Sequence, residues 1–419
     1  MIAYRAAFKK ISPEQWFMAS VVLVNAGNYV YNLFLGRILG PAAYAEAALL
    51  VTLLLVLSFL GMTFQLATAK FAVLFKEKQW KVFEHIMYRK ATYFGLALGA
   101  LVVLFSKSLQ ALFHTQSYWV FVVFGMGIPF YFFMSVNRGY YQGKLKFSKL
   151  SITYQTEMWS RLVITITLLY FIPLHPGILV AIGIFISFVF GLFPSNTKGF
   201  SLKQSGSLLP ENTKKVSQFI LLTAGYELTQ IIINNSDVLL VKHYFSAVDA
   251  GLYASLALIG RVVYFVAWMF VMLLLPTVVK KQQEGKPTAP ILFTYVFYIC
   301  LLSLAIVLGC YFFPEIIIKL MFGEAYVSIA GLLWLYALAT SLFAVSNIFA
   351  YYFLSLDHYV PVIVSGVLGM SQVFLVVFFH KSLHMVVYMQ IVAMALLLIL
   401  QVLYFFNKKN SLSKGKSKM

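Results

Sequence analysis

The sequence is dominated by long apolar stretches that are separated by short polar segments, as in Leu49–Leu60 and Ile391–Leu400. Hydrophobic residues make up 61% of the chain and charged residues only 11%, whereas soluble proteins carry about 25% charged residues. An ordinary soluble enzyme, a disordered chain and a coiled coil are therefore excluded. A transmembrane barrel is excluded as well, because its strands alternate apolar and polar residues. The pattern predicts an all-α membrane protein, since helices satisfy their own backbone hydrogen bonds in lipid.

The apolar stretches are long enough for about twelve membrane-spanning helices, at about 20 residues for each crossing. Turn signals separate several of them, including Gly40-Pro41 and the segment Pro173–Gly177. The predicted spans cover residues 15–36, 43–69, 91–106, 117–136, 151–171, 177–194, 216–238, 251–279, 288–312, 327–355, 360–379 and 384–406.

Basic residues alternate strongly between the segments that connect these spans. The segments on the side of the two termini hold 25 of the 32 Lys and Arg residues, and the opposite side holds 5. Cytoplasmic loops carry this excess in membrane proteins, so both termini are expected in the cytoplasm. The net charge of +19 is thus spread over short loops, and we do not interpret it as a nucleic-acid-binding surface.

The longest polar stretch lies at the middle of the chain and predicts two lobes. We expect an N-terminal six-helix lobe at 1–194, a cytoplasmic linker at 195–215, a C-terminal six-helix lobe at 216–406 and a basic cytoplasmic tail at 407–419. Tyr44 and Phe113 match Tyr253 and Phe322 at an offset of 209, and Asn137 and Tyr141 match Asn347 and Tyr351 at 210. These matches predict an internal repeat with parallel halves, because six helices per half is an even number.

The first helix of each half carries polar residues at helical spacing. In the first span these are Asn25, Asn28 and Asn32; in the seventh they are Thr223, Glu227, Gln230, Asn234 and Asp237. The spacings of three and four place each set on one helix face. Asparagines alone could simply bond neighbouring helices. The two carboxylates, Glu227 and Asp237, instead favour a water-lined cavity and are candidates for coupling transport to H⁺ or Na⁺.

Three arginines are the candidate cations. Arg161 lies one turn from Glu157 in the fifth span, so the two could form a self-neutralised structural pair or a cationic site tempered by the acid. Arg261 in the eighth span has no acid within a turn, and Glu227, Asp237 or a substrate anion are its expected partners. Arg37 lies in an outer segment, and Gln65 belongs to a stripe of small polar residues in the second span.

Signatures of catalysis are missing from the sequence. It contains no HExxH, GxSxG, Walker A or paired-cysteine metal motif. We therefore expect neither an enzyme nor a metal or organic cofactor, and any transport would be driven by an ion gradient or by substrate supply. A membrane glycosyltransferase or polymerase would be expected to carry a large outer loop with catalytic residues, which is absent from the predicted topology. A purely structural role would leave Glu227 and Asp237 unexplained.

Two segments resemble the polysaccharide transporter family, the Wzx-like oligosaccharide flippases. Tyr31–Ala45, read as YNLFLGRILGPAAYA, is similar to the family's LGRxLGPxxYG stretch, with alanine at position 45 where glycine is common. Asn137–Phe147, read as NRGYYQGKLKF, is similar to its RGxxQGxxxF stretch. The resemblance implies the MATE-like fold of the multidrug/oligosaccharidyl-lipid/polysaccharide exporter superfamily, although many relatives have fourteen helices.

The resemblance also implies a substrate, a lipid-linked oligosaccharide moved across the bacterial cytoplasmic membrane by alternating access. A diphosphate head needs cations and its sugars need amides or hydroxyls. Membrane lipids, a polysaccharide polymerase and glycosyltransferases would be the other partners. A MATE-type exporter of cationic drugs, which would use Glu227 and Asp237, is the alternative. The cations would come from Arg37, Arg161 and above all Arg261, and the amides from Asn28, Asn32, Gln65, Gln230 and Asn234.

Overall fold

A computed structural model gives the fold of the protein and describes residues 13–195, 208–264, 281–282, 284–356, 358 and 360–416, with the isolated positions 274 and 278. The described residues form an almost entirely helical structure. Its α-helices are α1 Pro13–Leu74, α2 Glu77–Leu104, α3 Ser106–Phe113, α4 Trp119–Gly143, α5 Phe147–Phe171, α6 Pro176–Gly191, α7 Pro210–Tyr244, α8 Ala247–Gly260, α9 Ala289–Phe312, α10 Pro314–Met321, α11 Leu333–Ser355, α12 Val360–Phe378 and α13 Leu383–Lys416. A 3₁₀ helix at Glu324–Leu332 precedes α11.

Helix α1 has 62 residues and contains two membrane spans. A straight helix of this length would measure about 90 Å, three times the thickness of a bilayer core. The break lies at Gly40, whose φ of 70° and ψ of 171° are not helical. Only glycine adopts this conformation readily, and Pro41 has no N–H to lose when the helix restarts.

Each of the twelve predicted spans falls on a described helix, which confirms an all-α membrane protein. Among the described residues, eight helices are long and apolar enough to cross a membrane, or nine if α7 counts as one bent span. Trp16–Leu74 is one of the eight although it contains two spans. The two remaining spans are α5, which carries Glu157 and Arg161, and α6, which has only 16 residues. The eighth span continues past Tyr264 outside the described residues.

The chain divides into two compact units. Unit 1 comprises Met1–Leu35 and Glu46–Leu228, and unit 2 comprises Gly36–Ala45 and Thr229–Met419. The turn at Gly40 therefore belongs to unit 2, where the hydroxyl of Tyr326 donates to the carbonyl of Gly36 at 2.8 Å. The polar stretch at 196–207 lies outside the described residues.

The order of helices repeats between the two halves of the chain. The short helix α3 follows α2 at Ser106–Phe113, and the short helix α10 follows α9 at Pro314–Met321, an offset of 208 at both ends. This offset lies within two residues of the offsets of 209 and 210 that the matching residues of the sequence give. The repeated pattern of helices is that of the predicted six-plus-six architecture.

Candidate functional site

A buried cluster of three ionised side chains lies inside unit 1. The Nη2 atom of Arg138 in α4 donates to Oε2 of Glu157 in α5 at 2.7 Å. One turn further along α5, Nη1 of Arg161 donates to the second oxygen, Oε1, at 3.2 Å. Arg138 is 3% exposed and Arg161 is 4% exposed. One carboxylate is thus shared by two guanidiniums, and the cluster carries a net charge of +1.

Arg138 is held by a dense set of further contacts. Its Nε donates to Oγ1 of Thr153 at 3.1 Å and its Nη2 donates to the Thr153 carbonyl at 2.9 Å. The guanidinium carbon lies 3.9 Å from the centroid of the Tyr154 ring, which is the geometry of a cation–π contact. This planar, forked arrangement is specific to arginine.

Arg138 is not among the site residues predicted from the sequence, because the distribution of basic residues places it in the loop at 137–150. The residue instead lies within α4. The excess of Lys and Arg on the cytoplasmic side therefore falls by one charge, and the predicted orientation is unchanged. The glycine that follows it, Gly139, is the signal that the sequence offers for a helix crossing at this point. In the structure, a Cβ at Gly139 would lie 2.4 Å from the Gln65 carbonyl. The pair Arg138-Gly139 therefore marks a close helix crossing rather than a loop.

Arg161 also contacts the first span. Its Nη2 donates to Oδ1 of Asn28, and its guanidinium carbon lies 5.6 Å from the centroid of the Tyr31 ring. Asn32 donates to the Asn28 carbonyl at 2.9 Å, and the hydroxyls of Tyr31 and Thr165 lie 3.3 Å apart. The structure thus brings Asn28, Asn32 and Arg161, which are predicted site residues from two different spans, to one place in unit 1.

Gln65 belongs to an amide and hydroxyl group next to the cluster. Its Nε2 donates to Oε1 of Gln142 at 2.9 Å and to the hydroxyl of Tyr154 at 3.0 Å. Because Tyr154 also stacks on Arg138, this group is continuous with the charged residues. Neutral amides and hydroxyls therefore adjoin a surplus positive charge.

Unit 2 contains a second buried cluster, centred on Asp237 of α7. Its Oδ2 accepts from the hydroxyl of Tyr336 at 2.7 Å and from the hydroxyl of Tyr253 at 3.2 Å. Its Oδ1 accepts from Nη2 of Arg261 at 3.0 Å. Gln390 completes the cluster by donating to the Tyr253 hydroxyl at 2.6 Å. The Asp237–Arg261 pair is electrically neutral, and three donors satisfy the carboxylate.

The two clusters differ in charge, which separates the candidate arginines. Arg261 has the expected partner in Asp237 and carries no surplus charge. Arg161 shares its acid with Arg138, so the described residues of the unit 1 cluster retain one positive charge in excess. A dianionic group would gain more from unit 1, because a buried charge in excess is costly until an opposite charge compensates it.

The remaining candidates lie apart from these clusters. Arg37 belongs to unit 2, is exposed and makes no ion pair with any described residue. Asn234 is half-buried and has a partner, and the side chain of Gln230 lies outside the described residues. Glu227 is buried in unit 1, and no described side chain pairs with its carboxylate. Within the described ranges, no three His, Cys, Asp or Glu residues converge as metal ligands.

Comparison with known proteins gives one family and several structural relatives. A family model described as "Polysaccharide biosynthesis protein" matches residues 34–331. No curated protein sequence matches the chain. An inward-facing multidrug resistance MATE family transporter of the MOP superfamily has a TM-score of 0.78 at 13% identity, covering 93% of this chain and 96% of its own.

Two other solved structures extend this likeness. The lipid II flippase MurJ in an inward closed conformation has a TM-score of 0.73 at 14% identity, covering 94% of this chain and 87% of its own. A MOP superfamily transporter from Pyrococcus furiosus, described as having a binding pocket of reverse polarity, has a TM-score of 0.57 at 14% identity, covering 96% and 94%. At these identities the likeness establishes the fold, which is MATE-like.

Proposed function

The chain belongs to the polysaccharide biosynthesis protein family, and on that premise we propose that it is an alternating-access flippase for a lipid-linked oligosaccharide. The substrate would be a polyprenyl-diphosphate saccharide, moved from the inner to the outer leaflet for the assembly of a cell-surface polysaccharide. The protein would lie in a bacterial cytoplasmic membrane with both termini inside. A polysaccharide polymerase and glycosyltransferases would act after and before it.

The observation that carries this proposal is the surplus positive charge of the Arg138–Glu157–Arg161 cluster. A diphosphate loses much of its hydration when it enters a protein cavity, and guanidinium groups replace that hydration with bidentate hydrogen bonds. Arg161 is the proposed contact to the diphosphate, and Arg138 is a positioning residue that draws Glu157 partly away from it. The adjoining amides of Asn28 and Gln65 would bond sugar hydroxyls.

A role in ion coupling is proposed for Glu227 and Asp237, with H⁺ or Na⁺ as the ion. Glu227 is buried without a described partner, so it could bind either cation. Asp237 holds its Arg261 and tyrosine partners in one arrangement, and a change in its ionisation would alter all three contacts.

The proposal is tested in cells that lack this protein and make the corresponding surface polysaccharide. Expression of the wild type should restore the polysaccharide, and Arg161→Lys should lower it by about tenfold or more, because lysine lacks the planar fork. Arg89→Lys is the matched control, since Arg89 is half-buried in unit 1 and makes no described ion pair. Full restoration of the polysaccharide by Arg161→Ala would show that Arg161 does not contact the substrate.

One observation favours a second candidate, a MATE-type exporter of cationic drugs. The buried carboxylate of Glu227 could bind an organic cation, and a fold shared with multidrug transporters allows this function. Drug susceptibility separates the candidates. A drug exporter would lower the susceptibility of the host in a manner that Glu227→Gln abolishes, whereas a flippase would leave susceptibility unchanged and restore polysaccharide.

A further inference from the structure

One end of unit 1 carries a group of lysines held against aromatic rings. The indole of Trp80, in the first turn of α2, stacks on the ring of Tyr140, in the last turn of α4, with centroids 5.9 Å apart. Lys144 Nζ lies 5.2 Å from the Trp80 ring, and Lys146 Nζ lies 4.7 Å from the Tyr140 ring. We call the set Lys70, Trp80, Tyr140, Lys144, Lys146 and Lys149 the lysine–aromatic patch.

The lysines of the patch are exposed, and each contacts a protein oxygen or an aromatic ring. Lys149 Nζ lies 5.9 Å from the Tyr141 ring. Lys144 Nζ donates to the Ala72 carbonyl at 2.7 Å, and Lys146 Nζ donates to the Tyr140 hydroxyl at 2.9 Å. Lys70 Nζ lies 4.0 Å from the Phe219 ring. A lysine ammonium has three N–H donors. One bond to the protein therefore leaves two donors on Lys144 and on Lys146 for an outside acceptor.

This concentration of charge differs between the two halves of the chain. Both halves are expected to share one orientation, so each should present its own basic residues on the cytoplasmic side. At the repeat offset of 210, however, Lys144, Lys146 and Lys149 correspond to Leu354, Leu356 and Tyr359. The lysines are a property of the first half and point to a ligand there.

We propose that the lysine–aromatic patch binds the phosphate groups of anionic phospholipids in the inner leaflet. The patch lies where α1 ends, α2 begins, α4 ends and α5 begins, which is the end of unit 1 that basic residues assign to the cytoplasm. Clusters of four to eight basic residues next to a membrane span attract anionic lipid. The aromatic rings suit the same depth, because tryptophan and tyrosine favour the boundary between lipid and water.

Lipid binding by the purified full-length protein tests this proposal and does not depend on transport. Native mass spectrometry would measure the affinity for phosphatidylglycerol, with phosphatidylcholine as the neutral lipid. The test variant is Lys144→Gln/Lys146→Gln/Lys149→Gln. Lys107→Gln/Lys214→Gln/Lys381→Gln removes the same charge elsewhere, at exposed lysines that make no described ion pair, and is the control. The affinity of the patch variant for phosphatidylglycerol should fall by at least about tenfold. The affinity of the control variant should match that of the wild type.

Replacement of the same three lysines by arginine should preserve binding, because arginine keeps both the charge and the cation–π contact. Equal affinities in the patch variant and the control variant would overturn the proposal. The proposal would also be overturned if the patch variant bound lipid as the wild type does but no longer bound an acidic partner protein. That result would assign the patch to the partner protein. If the triple variant fails to fold, the affinity of Lys149→Gln for phosphatidylglycerol is measured over a range of salt concentrations instead. Removal of a lysine that contacts the lipid should make this affinity depend less on salt, and an unchanged salt dependence would overturn the proposal.

Discussion

Arg138 and Glu157 form an ion pair of 2.7 Å between two helices of unit 1, although the distribution of basic residues places Arg138 in a loop. Because Arg161 holds the other oxygen of the same carboxylate, the acid is divided between two cations. This division gives the first half of the protein a buried site with an uncompensated positive charge.

The first prediction concerns the guanidinium of Arg138. Arg138→Lys keeps the charge but loses the fork that joins Thr153 and Glu157, so the free energy of unfolding should fall by about 2–4 kcal/mol. Thermal unfolding in detergent would measure the change, with Arg89→Lys expected within about 0.5 kcal/mol of the wild type. Equal melting temperatures for the two variants would show that the fork contributes nothing.

The second prediction concerns the shared carboxylate. Glu157→Gln leaves two buried guanidiniums without an acid and should destabilise the protein by about 3–5 kcal/mol. Added pyrophosphate should then stabilise the variant more than the wild type, because the anion would replace the missing carboxylate and bind only the folded state. Melting temperatures that respond equally to pyrophosphate in both proteins would argue against an anion site at this position.

The third prediction concerns the tyrosines around Asp237 in unit 2. Tyr336→Phe removes the 2.7 Å hydrogen bond to Asp237 and should lower the stability by about 1–3 kcal/mol, since hydrogen bonds to charged groups are the stronger ones. Tyr311→Phe is the control, because Tyr311 is 56% exposed and its hydroxyl has no hydrogen bond to a described residue. An equal loss of stability in Tyr311→Phe would show that the hydrogen bond from Tyr336 to Asp237 does not stabilise the protein.

The fourth prediction concerns topology. In a variant whose native cysteines are replaced by serine, Ser207→Cys should react with an impermeant maleimide only after the cells are permeabilised. Ser382→Cys, in the short segment between α12 and α13, should react in intact cells because the basic residues assign this segment to the outside. Labelling of Ser207→Cys in intact cells would contradict the twelve-span topology.

The fold could be predicted from the sequence because it depends on local properties. Apolar stretches of the length of a membrane crossing define the spans, and Gly40-Pro41 marks the break inside α1. The two family-like segments, Tyr31–Ala45 and Asn137–Phe147, led to the family that the match over residues 34–331 confirms. Local pattern was sufficient at this level, since each helix satisfies its own backbone in lipid.

The partners within the candidate site could be predicted only in part. Spacing along one helix identified Glu157 and Arg161, and the sequence offered Asp237 as a partner of Arg261. The contacts of Arg138 and Tyr336 join helices that are distant in the sequence, and periodicity carries no information on such pairs. The functional roles of the ten predicted site residues remain predictions.

The central claim is that Arg161 contacts the diphosphate of a lipid-linked saccharide, and translocation in proteoliposomes tests it most directly. The purified protein would be reconstituted with a fluorescent polyprenyl-diphosphate oligosaccharide, and flipping would be followed by the loss of fluorescence to a membrane-impermeant quencher. The wild type and Arg89→Lys should translocate the lipid at similar rates, and Arg161→Lys should be slower by about tenfold or more. Equal rates for Arg161→Lys, Arg161→Ala and the wild type would contradict the account.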